Sequence, residues 1–549
     1  MGPGGLCSEV KSSAVSISIA MELSESAPLA VPEKSTGPFP AEGSSPAGLQ
    51  SPRQVRWAQA LVLVALFSVP AFIYLRTASA SDPDVWSHIR TGEWIAQHGA
   101  VPRTDPFSAF GAGKSWAAYS WLFELLVYQL FQRLGLIGLV TYTAGMIVSV
   151  AVVLYRLIRR LQADFTIGVL LTFVACYSMV RLYTPRPWLF SLLFFALELD
   201  LLMQARKTGK TRELLWLPVI FALWANLHIQ LIYGLVVLAI ALTEAVLACR
   251  WSGIQTRLRT GWAGGISIAC VLATLANPYG WRIYRIAYDL GTQFGALNKV
   301  TELFAMPFRN LDDWCVLLLA LAAVGVLARA RRFAFFESAL LAFAIFVSFR
   351  TQRDLWVVVI AASAILAQEL TGEEKNRFQL TAAFAPFVAV ATGLAVALGF
   401  CMLHVDNAQL SAKLAGELPV RAVEVVKEKG WSGPLYNDYG WGGYLIWALR
   451  MPVSIDGRTN LHGDERINAS YAEWSGQPEW ATDPDLRKAN LVIGPARAPL
   501  TQLLRTDPRF ELVYEDKLAA VFVARKPLSS EAAGTAAEAG VASAHSAVK

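Results

Sequence analysis

Apolar stretches recur along this sequence at the length needed to cross a bilayer, and they leave few folds open to it. They run from Trp57 to Leu75, Leu136 to Leu157, Thr166 to Tyr183, Trp188 to Met203, Leu214 to His228, Leu231 to Ala248, Trp262 to Ala276, Trp314 to Ala328, Phe335 to Phe349, Leu355 to Leu370 and Thr381 to Leu403. A helix crosses the hydrocarbon core with roughly twenty apolar residues, so these segments predict about eleven crossings, of which the fifth, seventh and eighth are short. Lys and Arg gather on every second loop: Arg53 and Arg56, Arg156 to Arg160, Arg206 to Arg212, Arg250 to Arg259, Arg329 to Arg332, and Lys375 with Arg377. Basic loops stay cytoplasmic, which puts the N-terminus inside and everything after Leu403 outside. A multi-pass protein of the inner (plasma) membrane is expected, with the lipid bilayer as its first partner.

Composition agrees: 55% of residues are hydrophobic, 16% are charged, and the mean hydropathy is +0.42. The net charge of +6 is dispersed over short loops, which argues against nucleic acid as a partner. Cys7, Cys176, Cys249, Cys270, Cys315 and Cys401 have neither paired nor metal-like spacing and read as small core residues. Residues 1–52 and 527–549 are rich in Ser, Ala, Gly, Pro or Glu and are expected to be disordered tails. Between them, residues 53–403 form the expected membrane domain, with a long first external loop over 76–120, and residues 404–526 a separate domain.

That first loop opens with SDPDVWSHIRTGEWIAQHG, Ser81 to Gly99. Asp before Pro, ahead of Val85, Ile89, Gly92 and Ile95 at helical spacing, marks a helix start, and Gly99 with Pro102 marks its end. Asp82 suits the cap, while Asp84 lies in the first turn and shares a face with His88 four residues on. Two carboxylates thus sit at the positive end of a short helix beside the membrane. A capping Asp with solvated charges explains the same residues. The segment Trp121 to Leu134 is too short to cross and reads as an interfacial helix.

The other loops predicted to be external carry unusual polar residues: Arg181 and Arg186 in RLYTPRPW, Asn226 and His228 in WANLHIQ, Asn277 in NPYGW, and Arg350, Arg353 and Asp354 in FRTQRDLW. Ionisable groups near membrane depth are costly and are functional candidates, although snorkelling or capping explains any one of them. Glu302 stands in the same long loop as NPYGWRIYR.

Beyond Val405 the pattern changes. A helix is predicted over Pro419 to Lys429, and strands over Pro434 to Tyr436, Val453 to Ile455, Ala489 to Ile493, Phe510 to Tyr514 and Ala519 to Ala524. The fold class expected is therefore an α-helical polytopic domain followed by a small extracytoplasmic α/β domain with a largely parallel sheet. Asn437 and Asp438, and Asp456 with Arg458, follow strands directly and should share one sheet edge, where such folds carry ligands. Asp beside Gly in a turn is the simpler account of both.

The motifs SDPDVWSHIRTGEWIAQHGAVPRTDPFS, RPWLFSLLFFALELDLL, LPVIFALWANLHI, LANPYGWRIY and NDYGWGGYLIWALRMPVSIDGRTNLHGDE together resemble a group of bacterial polytopic proteins similar to GT-C-type glycosyltransferases. That superfamily includes protein mannosyltransferases, oligosaccharyltransferases and lipid A aminoarabinose transferases. The resemblance covers most of Trp57 to Lys526. It implies a polyprenyl-phosphate-linked sugar as donor, a glycan, lipid or protein as acceptor, and transfer at the outer face. It also implies an acidic residue just after the first span, a position Asp82 or Asp84 matches. The second external loop of GT-C enzymes often carries a further acidic pair; here it reads RLYTPRP and has none, which argues against a metal site spanning both loops.

Within that frame Asp84 is the expected catalytic base, Asp82 chiefly the cap, and His88 an orienting or substrate-contacting group. Arg186, Arg350, Arg353 and His228 are the expected donor-phosphate contacts, since the leaving group is an anion. Asn437, Asp438, Asp456 and Arg458 are the expected acceptor-side residues. A divalent ion, Mg or Mn, held by Asp82 and Asp84 is the one optional cofactor. Two other functions fit the same residues. A transporter or flippase of a lipid-linked glycan would show repeated halves with broken helices at mid-membrane, and no repeat is visible. A non-catalytic glycan-binding scaffold gains from the missing second acidic motif. An O-antigen polymerase or ligase would carry its large external loop late in the chain.

Overall fold

The computed structural model describes residues 52–525 except 163, 294, 296–297, 331–332 and 371–383. The tails expected over 1–52 and 527–549 lie outside the described residues, apart from Pro52, and so do Cys7, Lys375 and Arg377.

Every segment expected to cross the membrane contains a helix among the described residues. The long helices are α1 (Pro52–Thr77), α4 (Leu136–Leu161), α6 (Trp188–Thr208), α8 (Leu231–Ala248), α11 (Leu311–Arg329) and α14 (Ala385–Met402). Among the described residues these six are long and apolar enough to cross a membrane. The other five predicted crossings are the shorter helices α5 (Phe165–Ser178), α7 (Leu217–Leu227), α9 (Thr260–Thr274), α12 (Phe335–Arg350) and α13 (Leu355–Glu369). Length is the reason for the difference. Both α5 and α7 continue the hydrophobic run only through an adjoining 3-10 turn. Helix α13 is apolar on all sides and is buried on all sides from Leu355 to Ala367, as a central core helix must be.

Two helices of the first loop lie against this bundle. Helix α2 (Pro83–His98) starts at the expected cap and ends at Gly99, whose φ of 62° is left-handed. Helix α3 (Trp121–Leu134) packs on α2 where Gly92 has no side chain, so the Glu124 carbonyl can approach. Helix α10 (Arg282–Gly291) lies in the long loop before α11. There Tyr279 of NPYGW clamps the first loop: its hydroxyl accepts from the Ala118 N–H at 2.8 Å and donates to the Pro102 carbonyl at 3.1 Å.

The C-terminal region contains α15 (Asn407–Glu417), α16 (Val420–Lys429), β1 (Leu435–Asn437), α17 (Gly442–Leu449), α18 (Thr459–Trp474, broken at Gly463), α19 (Pro484–Lys488), β2 (Leu491–Pro495), α20 (Pro499–Leu504), β3 (Phe510–Glu515) and β4 (Ala519–Ala524). The sheet order is β1-β2-β4-β3. Only β1 and β2 are parallel; β2 with β4 and β3 with β4 are antiparallel. The largely parallel sheet is therefore corrected to a mixed one, because the strand expected at Val453 to Ile455 does not join it. Val453 bridges Ser108 of the first loop instead, and its N–H donates to the Phe107 carbonyl at 3.2 Å. A segment of the C-terminal domain thus pairs with the membrane domain's loop.

Candidate functional site

The site is built around Arg186. Pro187 precedes the first turn of α6, so TPRP enters the helix in a fixed direction, and the Tyr142 hydroxyl donates to the Arg186 carbonyl at 3.0 Å. Only 9% of Arg186 is exposed. Its Nε meets Asp82 Oδ2 and its Nη1 meets Asp84 Oδ2, both at 2.5 Å, while Nη2 meets Glu302 Oε1 at 3.0 Å. One guanidinium, a planar fork of donors, is shared by three carboxylates from two loops. Asp82 caps α2 as expected, its Oδ1 accepting the Asp84 N–H at 3.1 Å. Burial, with Asp84 and Asp82 alongside, holds the Glu302 carboxyl above the usual glutamate range against the pull of Arg186.

Glu302 was visible in the sequence only as a loop residue. Its partner lies over a hundred residues away, and no local motif announces it. The short turn Thr301–Leu303 that carries it is tied to the turn before α13: the Gln352 N–H donates to the Phe304 carbonyl at 2.8 Å. Arg353, next in that turn, interacts electrostatically with Glu302 and Tyr119. Asp354 anchors the turn by accepting from Gln230, Tyr233 and Thr351. Arg350 donates to the Gly291 carbonyl at 3.1 Å, on the exposed side of the same turn. His228 is buried, its Nδ1 paired with Ser191 Oγ at 2.8 Å, and belongs to the packing of α6 on α7 and α8.

His88 is a correction. Of its two expected roles, orienting Asp84 or contacting substrate, the first is corrected: its Nδ1 pairs with Glu124 Oε1 at 3.1 Å and not with Asp84 one turn away. Helix α3, packed closely on α2, supplies the nearer carboxylate.

The C-terminal residues expected to bind an acceptor divide into two groups. Asn437, fully buried, spends its amide on the backbone: Oδ1 accepts the Ser454 N–H at 2.9 Å, and Nδ2 donates to the Ile455 carbonyl at 2.8 Å. Arg458 joins Asp456 at 2.7 Å to Asp105 at 2.6 Å and lies 4.7 Å over the Trp116 ring. Burial alone would raise Asp456; Arg458 and His462 outweigh it and hold that carboxyl well below the usual range. These three are therefore corrected from acceptor contacts to internal ties: Asn437 spends its amide on the Ser454–Ile455 backbone within the C-terminal region, and Asp456 with Arg458 forms a buried clasp to Asp105 of the first loop.

Asp438 is different. It caps Gly440 with Oδ1 at 2.9 Å and is half-buried. Tyr439 beside it packs against Tyr471 with ring centroids 5.5 Å apart, and interacts electrostatically with Asp84 and Glu302. Burial pushes Asp438 up to about 6, against the N–H groups of Gly440 and Tyr439. A carboxyl raised on folding contributes most below its ordinary value and loses that contribution as pH rises through 6. The unfolding midpoint of wild type should therefore fall relative to Asp438→Asn between about pH 4 and pH 7. Parallel pH curves for the two proteins would show that Asp438 has an ordinary proton affinity.

Two solved structures share this architecture over 80% of the chain. One is the Archaeoglobus fulgidus oligosaccharyltransferase AglB in complex with an inhibitory peptide and a dolichol-phosphate, with a TM-score of 0.51, 13% identity and 69% of that chain covered. The other is the Archaeoglobus fulgidus oligosaccharyltransferase tethered to an acceptor peptide containing the NVT sequon, with a TM-score of 0.52, 14% identity and 68% of that chain covered. The chain shares the fold of these two oligosaccharyltransferase structures. No protein-family model and no curated protein matches the sequence. Within this fold the first-loop acids, the second-loop arginine and Glu302 converge against the C-terminal domain. Among the described residues no group of three or more His, Cys, Asp or Glu side chains is arranged to hold a metal ion. Asp82, Asp84 and Glu302 surround a guanidinium instead.

Proposed function

We propose that the chain is a membrane glycosyltransferase that moves a sugar from a polyprenyl-phosphate-linked donor to an acceptor at the extracytoplasmic face. The observation that carries this reading is the convergence of Asp82, Asp84 and Glu302 on Arg186 within a GT-C fold. The dolichol-phosphate in the AglB complex, itself a polyprenyl phosphate, supports the donor class. Arg353 would hold the donor phosphate, since the Arg186 guanidinium is already engaged by three carboxylates. The acceptor oxygen attacks the sugar's anomeric carbon, the bond to the phosphate oxygen breaks, and the electron pair leaves on the phosphate. The acceptor proton passes to Asp84 Oδ1, the oxygen not bonded to Arg186. Mg or Mn at Asp82 and Asp84 would need Arg186 to release both carboxylates; as arranged the donor set does not fit a divalent ion, and no step is routed through one.

The test is binding of a polyprenyl phosphate probe to detergent-purified protein. Arg353→Ala should fold and weaken binding about tenfold or more, the worth of a charge-assisted hydrogen bond. Unchanged binding in a folded variant would reduce Arg353 to an interfacial anchor. Orientation has its own check on the eleven-crossing topology. Reporter fusions at Arg160, Lys210 and Arg377 should read cytoplasmic, and those at Gly113 and Gly430 external. A cytoplasmic signal at Gly430 would put the C-terminal domain on the wrong side for this reaction.

A further inference from the structure

Two glycines of the C-terminal domain, Gly443 and Gly457, face the first loop's acidic helix, and a third, Gly442, faces the Ile455–Asp456 backbone beside them. A Cβ on Gly442 would overlap the Ile455 carbonyl, one on Gly443 the Pro83 carbonyl, and one on Gly457 the Oδ1 atom of Asp84. The Gly457 position would also lie 2.8 Å from Asp84 Cγ. None of the three has the positive φ that favours glycine, so space alone excludes a side chain there. Around this seat the first turn of α2 is held from several sides. Trp86 packs on Tyr444 and Trp447 of α17 with centroids 5.4 and 4.3 Å apart. Arg458, next to Gly457, is clasped between Asp456 and Asp105. The turn bearing Gly457 is thus fixed to the very loop whose carboxylate it faces.

We infer that Gly457 is a positioning residue: the C-terminal domain sets the place of the Asp84 carboxylate, and the missing side chain at 457 leaves room for Oδ1 to sit there. The inference rests on the proposed role of Asp84. One oxygen of that carboxylate is held by Arg186 and the other lies over Gly457, so its plane is defined from two sides. A methyl group at 457 displaces Oδ1 and rotates the carboxylate on Arg186, leaving the donor-phosphate contacts of Arg353 in place.

The test uses the full chain purified in detergent, polyprenyl-phosphate hexoses radiolabelled in the lipid as the probe, water as the acceptor oxygen, and release of labelled polyprenyl phosphate with free hexose as the readout. Gly457→Ala should lower kcat about a hundredfold, the scale of a displacement near 1 Å at a reacting group, with the KM for the lipid donor unchanged. Gly416→Ala, on the exposed surface of α15 with no heavy atom near the new methyl group, should behave as wild type. Wild-type kcat in Gly457→Ala beside a dead Asp84→Asn overturns the positioning role and leaves the reading of Asp84 standing. Normal turnover in Asp84→Asn overturns that reading and this inference together. The juxtaposition is read without activity, and independently of how Gly457→Ala folds: Asp84→Cys combined with Gly457→Cys should form a disulfide on oxidation, identified as joined peptides by mass spectrometry. Two reactive but unjoined thiols would overturn it.

Discussion

Asp84→Asn is expected to lower donor turnover about a hundredfold or more, the usual cost of losing a general base, in a protein that still folds. Folding should survive because Arg186 keeps Asp82 and Glu302 as anionic partners. Asp82→Asn should retain partial turnover, since Asn caps a helix as well as Asp does. Glu302→Gln separates two assignments of the base. Glu302 is the carboxyl with a raised proton affinity in the cluster, so a dead Glu302→Gln beside a near-normal Asp84→Asn would move the base to Glu302. Full turnover in all three variants would leave Arg186 and its carboxylates as a structural ion cluster and would place the base outside it.

Arg458→Ala should destabilise the docking of the C-terminal domain by about 3–5 kcal/mol, because it strands two buried carboxylates without their cation. Asp456 is fully buried and Asp105 nearly so. Limited proteolysis and denaturant unfolding in detergent would both report the change. Arg458→Lys should fall between wild type and Ala, since one ammonium cannot reproduce the fork that bridges both acids. A loss below about 1 kcal/mol, the range of an exposed pair, would mean that Asp105 and Asp456 find other partners.

Much of the local architecture was legible. Asp82-Pro83 and Gly99 marked both ends of α2, because capping and left-handed backbone depend on the nearest few residues. Apolar runs marked each membrane helix, and residues Phe510 to Ala524 marked the β3–β4 hairpin. The misses have one cause. The segment at Val453 to Ile455 has strand composition, but its backbone partners belong to the first loop rather than to the sheet. His88 shares a helix face with Asp84, yet α3 brings Glu124 to the ring. Asn437 and Asp456 were expected at a ligand-carrying sheet edge, yet both are buried: Asn437 bonds Ser454 and Ile455, and Asp456 holds the arginine that reaches Asp105 of the first loop.

By itself the sequence determined what depends on short range and on solvent: which segments leave water, where helices begin and end, and that acids, arginines and small turns are placed in the loops. Only the tertiary structure decided who meets whom. Arg186 pairs with Asp82, Asp84 and Glu302 across separations of 104, 102 and 116 residues. Gly457 comes to face Asp84 where Arg458 reaches Asp105, 353 positions away, and where Trp86 packs on Tyr444 and Trp447. Pairing at that range is set by how rigid helices stack and loops close over them. Hydropathy and capping are indifferent to which of several equivalent charges is brought near.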